Sequence, residues 1–120
     1  MSLPRLGALV AAVQLLAAIP AAHAATRSCN VQNDSGSYGP SYVTSLKVTN
    51  LSCAAGKKVV RAFHRCRHRH GGVKGRCPKS TSILGFHCTE KRSSIATQLT
   101  GKVTCIRGRH RVVHTYTEFT

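Results

Sequence analysis

The pattern of apolar and polar positions along the chain predicts one helix, between Ser52 and Gly72. At 100° per residue, small and apolar residues fall on one side of this helix and basic residues on the other. The apolar side carries Ala55, Val59, Ala62, Phe63 and Cys66, with Val60 on its flank. The opposite side carries Lys57, Lys58, Arg61, His64, Arg65 and His68. We therefore expect one face to be buried and the other to form a wet, cationic surface.

Both ends of the predicted helix carry capping residues. The Ser52 hydroxyl can accept a hydrogen bond from the free amides of the first turn. Gly71 and Gly72 follow the last turn, where glycine takes a left-handed C-cap conformation without steric penalty.

A period of two predicts strands on either side of the helix. Tyr42 to Thr49 alternates apolar with polar residues, which is typical of a half-buried strand. Ile83 to Thr89 predicts a second strand, and Lys102 to Ile106 and Arg111 to Thr117 predict a closing hairpin. Glu90 to Thr100 fits either a long loop or a short edge strand.

The hairpin register follows from its turn. With Gly108-Arg109 at the tip, Cys105 stands opposite Val112. The predicted fold is a small α+β domain over residues 41–120, with one amphipathic helix packed on an antiparallel sheet in β-α-β-β-β order.

Residues 1–24 have the features of a signal peptide. Arg5 supplies a positive start, Leu6 to Ile19 an apolar run, and Ala22-His23-Ala24 the small residues of a cleavage site. The apolar run is shorter than the roughly 20 residues that span a membrane, so no transmembrane segment is expected after processing. Residues 25–40 are polar and rich in turn residues, and we expect an irregular lead-in there.

The cysteines predict a disulfide framework. An even number in a short exported chain indicates bridges, because export leads to an oxidising compartment. All six lie after the predicted signal peptide: Cys29, Cys53, Cys66, Cys77, Cys88 and Cys105. Six cysteines allow fifteen pairings. The predicted layout favours a local bridge, a cross-strand bridge and an anchor for the lead-in: Cys66–Cys77, Cys88–Cys105 and Cys29–Cys53.

Charge is the strongest compositional signal. The chain has 18 Lys+Arg against three Asp+Glu, a formal net charge of +15. Loss of residues 1–24 would remove only Arg5, leaving +14. The electrostatic field of such a net charge raises the local concentration of anions and speeds association with polyanions. Solubility alone is the competing explanation.

A polyanion-binding surface is the main functional hypothesis. Its basic residues lie on the helix, in the glycine-rich loop after it and at the hairpin tip: Lys57, Lys58, Arg61, Arg65, Arg67, Arg69, Lys74, Arg76, Lys79, Arg107, Arg109 and Arg111. The expected partners are cell-wall polymers, anionic lipid headgroups or non-specifically bound nucleic acid. No recognition helix, RNP motif or stacking platform predicts sequence-specific binding.

Other chemistries have weaker signals. His64 and His68 stand one helical turn apart, a spacing that can chelate zinc or copper, but the arginines between them would repel a cation, so we expect no metal or cofactor. With three acidic residues and no nucleophile motif, the surviving enzymatic alternative is metal-free RNA cleavage by His87 and His114, with Lys102 nearby. Membrane disruption would need an apolar helix face that the sheet instead covers.

Three short motifs carry a family resemblance. They are Ser52-Cys53 followed by Ala55, Gly56, Val59-Val60 and Phe63; Gly85-Phe86-His87-Cys88; and Cys105-Ile106-Arg107-Gly108 followed by Val112-Val113. Together, over roughly Tyr42 to Tyr116, they resemble small exported, disulfide-containing proteins that are frequent among actinobacteria and have no assigned activity. The resemblance implies the fold and export, and no function. Gly56, where alanine is usual, and the additional pair Cys66 and Cys77 depart from it.

These observations predict a secreted, monomeric, disulfide-stabilised and strongly basic protein that is not an enzyme and associates with anionic extracellular material.

Overall fold

Five antiparallel strands and one helix form the protein in the computed structural model, which describes residues 2–4, 7–14, 25–32 and 42–120. In chain order the elements are β1 (Thr26–Ser28), β2 (Tyr42–Thr49), α1 (Cys53–Arg69), β3 (His87–Ile95), β4 (Gln98–Arg107) and β5 (His110–Phe119). A short 3-10 turn, Gly72–Lys74, follows the helix. The strands lie in the order β1-β2-β5-β4-β3 and form one sheet. The predicted fold class is confirmed.

The helix covers one face of the sheet, where it packs against β2 and β5. Val59, Val60 and Phe63 from the helix are buried there together with Leu46 and Val112 from the strands. The hairpin of β4 and β5 has the predicted register, because Cys105 pairs with Val112. We call this side the covered face and the other side the open face.

The second predicted strand begins later than the sequence pattern suggests. Ile83 and Phe86 form an isolated bridge, and the chain turns at Leu84 and Gly85, whose φ angles are 50° and 82°. Because this left-handed conformation does not occur within a strand, β3 starts only at His87. β3 then runs through much of the segment that sequence reasoning left open and ends in a tight hairpin to β4.

The lead-in is more ordered than expected where it is described. Thr26–Ser28 forms β1, which pairs with the end of β2. The predicted cleavage site after Ala24 and residues 33–40 of the lead-in lie outside the described residues. Residues 2–4 and 7–14 contain neither helix nor strand. Within the described ranges, no helix is both long and apolar enough to cross a lipid bilayer.

The three disulfides have the predicted pairing. Cys29–Cys53 ties the segment after β1 to the start of the helix, and Cys66–Cys77 ties the last part of the helix to the following loop. Cys88–Cys105 links β3 to β4 at directly paired positions. Each bridge is expected to contribute about 2–4 kcal/mol of stability, which matters for a core of this size.

The helix has the predicted N-cap, since the Ser52 hydroxyl accepts a hydrogen bond from the amide of Ala55 at 3.1 Å. At its other end, the chain leaves the helix through Gly71 and Gly72, with φ angles of 129° and 67°. The buried face of the helix, however, differs from the predicted one. It includes Gly56, His64 and Arg67 as well as the apolar residues. The predicted exposure of His64 and Arg67 is therefore wrong, with consequences for the site.

Gly56 marks the closest approach of the helix to β2. A Cβ atom at this position would overlap Cγ1 of Val48, a fully buried core residue. We expect Gly56→Ala to lower the free energy of unfolding by about 1–3 kcal/mol, because overpacking outweighs the gain in helix propensity of about 1 kcal/mol. Urea unfolding of the oxidised protein measures this change, with Lys58→Ala on the exposed helix face as the control. If the overlap is the cause, the double variant Val48→Ala/Gly56→Ala should lose less stability than the sum of the losses in the two single variants. A Gly56→Ala variant that is more stable than the unmodified protein contradicts the overlap.

Candidate functional site

The outer side of the helix carries a row of basic side chains. Lys57, Arg61, Arg65 and Arg69 follow one another at intervals of four residues, and Lys58 lies beside them. Residues four apart share a helix face, so this row extends about 18 Å along the axis. Lys58, Arg65 and Arg69 are exposed, whereas Lys57 and Arg61 are half-buried. We call these five residues the helix ridge.

The loop after the helix holds three further exposed cations: Lys74, Arg76 and Lys79. The Cys66–Cys77 disulfide attaches this loop to the helix. On its other side the guanidinium of Arg92 donates hydrogen bonds to the carbonyls of Lys74 at 2.9 Å and Gly75 at 2.7 Å. The loop is thus fixed between the helix and β3, with its cations next to the end of the helix ridge.

Arg67 does not belong to this surface. Its side chain is fully buried, forms an ion pair with Glu118 and donates a hydrogen bond to the carbonyl of Val73 at 2.6 Å. The guanidinium also lies over the Tyr116 ring, 4.6 Å from the ring centroid. The placement of Arg67 in the polyanion-binding set is therefore wrong, because its charge is matched inside the protein. The helical wheel contains the signal, since Arg67 falls between Phe63 and Val60.

A second charged pair is held between the sheet and the loop. Arg92 contacts the Glu90 carboxylate at 3.2 Å, and the Tyr116 hydroxyl donates to the same carboxylate. Burial and this hydrogen bond raise the pKa of Tyr116 to about 12. Gly101 provides the space, because a Cβ there would overlap the Tyr116 ring and lie 2.7 Å from Glu90 Oε1. Both acidic side chains that the structure describes, Glu90 and Glu118, are thereby turned away from the surface.

Two histidines lie in the core beside these charges. His64 and His114 are buried, with their Nε2 atoms 3.2 Å apart. Burial lowers the pKa of His64 to about 2, and repulsion from a proton on His114 and from the Arg67 guanidinium adds to this effect. Burial also lowers the pKa of His114, to about 3, with a smaller effect of Arg67. Both rings are therefore neutral at physiological pH.

The hydrogen bonds of this histidine pair define its tautomers. Arg67 Nε donates to His64 Nδ1 at 3.4 Å, so the hydrogen of the neutral His64 ring is on Nε2. His64 Nε2–H then donates to His114 Nε2, which leaves the His114 hydrogen on Nδ1. His114 Nδ1 has no hydrogen-bond partner among the described residues.

The alternative of two-histidine RNA cleavage does not assemble in this fold. His87 is exposed, and the register of β3 places it on the open face, as it does Lys102 on β4. His114 is 1% exposed on the covered face, beneath the helix. A substrate phosphate cannot contact both histidines, because the sheet separates them.

His64 and His68, whose spacing could chelate a metal, are engaged in other contacts, as is the neighbouring His70. His64 pairs with His114, and His68 Nε2 lies 3.3 Å from Glu118 Oε1. His70 Nδ1 lies 2.7 Å from the carbonyl oxygen of Cys66. In the described part of the chain, no group of three or more His, Cys, Asp or Glu side chains is arranged to hold a metal ion.

The three basic residues near the hairpin tip differ in their contacts and in the face they occupy. Arg107 stacks on the Phe86 ring at 4.5 Å and donates to the carbonyl of Leu84, so part of its side chain serves packing. Arg109 is exposed in the turn, and Arg111 is exposed on the open face. Of these residues, Arg111 is separated from the helix ridge by the sheet, because the helix packs on the covered face.

The polyanion-binding set predicted from the sequence leaves out three exposed lysines on the open face: Lys47, Lys91 and Lys102. Each occupies an outward position on its strand, because its neighbours along the strand point to the covered face. For Lys47 and Lys102, the alternation with the apolar neighbours Leu46 and Val103 indicated the outward position in the sequence. Lys91 had no such signal, because its segment was not recognised as a strand.

Comparison of the chain with protein-family models, curated proteins and solved structures finds no match. The resemblance to small exported actinobacterial proteins therefore stays a prediction.

Proposed function

We propose that this is a secreted, non-enzymatic protein that binds phosphate-bearing polyanions outside the cell through the helix ridge and the loop attached to it. Residues 1–24 act as a cleaved signal peptide in this proposal. The three disulfides support export, because such bridges form and persist in oxidising compartments.

The observation that carries the proposal is the placement of the acidic side chains. Glu118 is 1% exposed and faces Arg67, and Glu90 faces Arg92 and Tyr116. Neither carboxylate can neutralise the basic residues on the outside of the helix. The fold thus separates its charges, with the described acidic groups inside and an excess of cations at the surface.

This arrangement favours anionic polymers over small anions. A row of cations about 18 Å long matches several successive phosphates of a polymer rather than one small ion. Such binding gains free energy by releasing condensed counterions and therefore weakens steeply with salt. Cell-wall phosphate polymers, lipid headgroups and nucleic acids share this chemistry.

The test is a salt series with a ridge variant. We expect the oxidised mature protein to bind long-chain polyphosphate with an affinity that falls by orders of magnitude between about 50 and 500 mM salt. Lys58→Gln/Arg61→Gln/Arg65→Gln should weaken binding at least tenfold at low salt and reduce the slope of log K against log salt by about 2–3. Fluorescence anisotropy of labelled polymer measures both quantities.

The matched control keeps the charge. Arg61→Lys/Arg65→Lys retains the cations on the same helix positions and should bind within about threefold of the unmodified protein. Parallel measurements with single-stranded RNA and with vesicles of phosphatidylglycerol and phosphatidylcholine separate the sources of phosphate. Binding that is insensitive to salt contradicts the proposal, and absence of binding at low salt leaves solubility as the role of the charge.

A further inference from the structure

The open face of the sheet carries a second cationic surface. Lys91 on β3 and Lys102 on β4 are directly paired in the register, and both side chains are exposed. Lys47 and Arg111 lie on the same face, on β2 and β5. We call these four residues the sheet patch.

Among the described residues, the lysine pair has no acidic partner on its own face. Like charges at directly opposed positions destabilise a sheet, so this pair is unfavourable without an anion. Glu90 precedes Lys91 in sequence but points to the covered face, where Arg92 and Tyr116 hold it. Glu118 is likewise buried beneath the helix. The sheet patch therefore lacks compensation from either carboxylate that the structure describes.

Hydroxyl groups surround the lysine pair. The register places Thr115 beside Lys102 on the neighbouring strand. The next rows on either side contain Thr89 with Thr104, and Ser93 with Thr100 and Thr117. Neighbouring strands lie about 4.8 Å apart and successive rows about 7 Å apart, so two ammonium groups and several hydroxyl donors share one flat surface. Phosphate oxygens accept hydrogen bonds from both kinds of group.

The sheet patch and the helix ridge lie on opposite sides of the molecule. The helix packs on the covered face, and the ridge residues point away from it. A helix with its side chains is about 10–12 Å across, and the sheet adds its own thickness. One straight polymer segment cannot contact both surfaces, because the helix, the core and the sheet lie between them.

We infer that this protein bridges polyanion chains, binding one phosphate-bearing polymer segment on the helix ridge and a second on the sheet patch. This inference rests on the proposed function and extends it from binding to cross-linking. Two binding surfaces on a single domain held by three disulfides give simultaneous engagement without any conformational change.

A two-layer capture assay tests the bridging. Biotinylated long-chain polyphosphate is immobilised, the oxidised mature protein is bound and washed, and fluorescent polyphosphate is added. The readout is captured fluorescence per molecule of bound protein, so a change in affinity for the first layer does not enter the result. The unmodified protein is expected to capture the second polymer at low salt and release it at high salt.

Two variants with equal loss of charge separate the surfaces. The ridge variant is Lys58→Gln/Arg61→Gln/Arg65→Gln, and the patch variant is Lys47→Gln/Lys91→Gln/Lys102→Gln. Each should still bind the immobilised polymer through its remaining surface, but capture per bound protein should fall at least tenfold. A control with the same loss of charge at exposed positions outside both surfaces, Arg27→Gln/Arg107→Gln/Arg109→Gln, should keep capture within about threefold.

Several outcomes decide the inference. Capture by the patch variant equal to that of the unmodified protein overturns bridging while leaving the proposed function intact. No binding to the first layer overturns the proposed function itself. Light scattering of the free protein should give the mass of a monomer, and a dimer overturns bridging by a single molecule. The patch variant should show an unchanged or higher urea midpoint, because removing opposed like charges does not weaken the fold.

Discussion

Glu118→Gln is expected to lower the free energy of unfolding by about 3–5 kcal/mol, the largest effect of any single substitution considered for this protein. The carboxylate is 1% exposed and forms an ion pair with the fully buried Arg67. Removing its charge leaves a buried guanidinium without its counter-ion, which is far less favourable than losing an ion pair at the surface. A domain of this size has a total stability of about 5–15 kcal/mol, so a large part of it depends on this contact.

The measurement is urea unfolding followed by circular dichroism, with the three disulfides intact. Arg65→Met removes an exposed arginine two residues from Arg67 and is expected to change stability by less than about 0.5 kcal/mol. The double variant Arg67→Met/Glu118→Leu removes both charges and should recover much of the loss, because a buried ion pair can be replaced by apolar groups of similar volume. A loss below about 1 kcal/mol in Glu118→Gln shows that the pair does not stabilise the core.

Local signals made the helix and the hairpin predictable. Ser52, Gly71 and the spacing of apolar residues determine where the helix begins and ends, and all three act within a few residues of chain. The tip at Gly108 likewise fixes the register of β4 and β5, which brings Cys105 opposite Val112. The predicted layout then favoured Cys66–Cys77 as a local bridge and Cys88–Cys105 as a cross-strand bridge, and Cys29–Cys53 was the remaining pair.

Contacts across long stretches of sequence were not predictable in the same way. Arg67 is buried because Glu118, 51 residues later, reaches it from β5. His64 is buried because His114, 50 residues away, lies opposite it. Their residue types favour exposure, and only the partner reverses that preference. For β3, the polar run from Glu90 to Ser94 showed too little alternation to indicate a strand.

The same long-range contacts determine the character of the surface. Burial of Glu90 and Glu118 removes both described carboxylates from the outside of the protein while Lys58, Arg65 and Lys102 remain exposed. The core network and the proposed binding surfaces are therefore two results of one arrangement. The ridge variants should leave the core network unchanged, and core variants should affect binding only through loss of the fold.

Acidification below about pH 6.5 is expected to destabilise the protein. Burial holds His64 and His114 neutral in the folded state, with pKa values lowered to about 2 and about 3, whereas an unfolded histidine has a pKa of about 6.5. Below pH 6.5 the unfolded chain therefore binds protons that the folded protein does not, and the free energy of unfolding falls with pH. At pH 5 the loss amounts to about 2 kcal/mol for each histidine, about 4 kcal/mol together.

The sign and the origin of this effect can be tested by urea unfolding at intervals between pH 8 and pH 5. Stability should be fully present above pH 6.5 and decline steadily below it. His114→Asn removes one of the two buried rings and should halve the decline, whatever its effect on stability at pH 8. His87→Gln, which changes an exposed histidine on the open face, should keep the full decline. A free energy of unfolding that does not change between pH 8 and pH 5 contradicts the buried pair. Burial and the charge of Arg67 both oppose protonation of His64, so such a result requires both rings to be exposed to water in the folded protein.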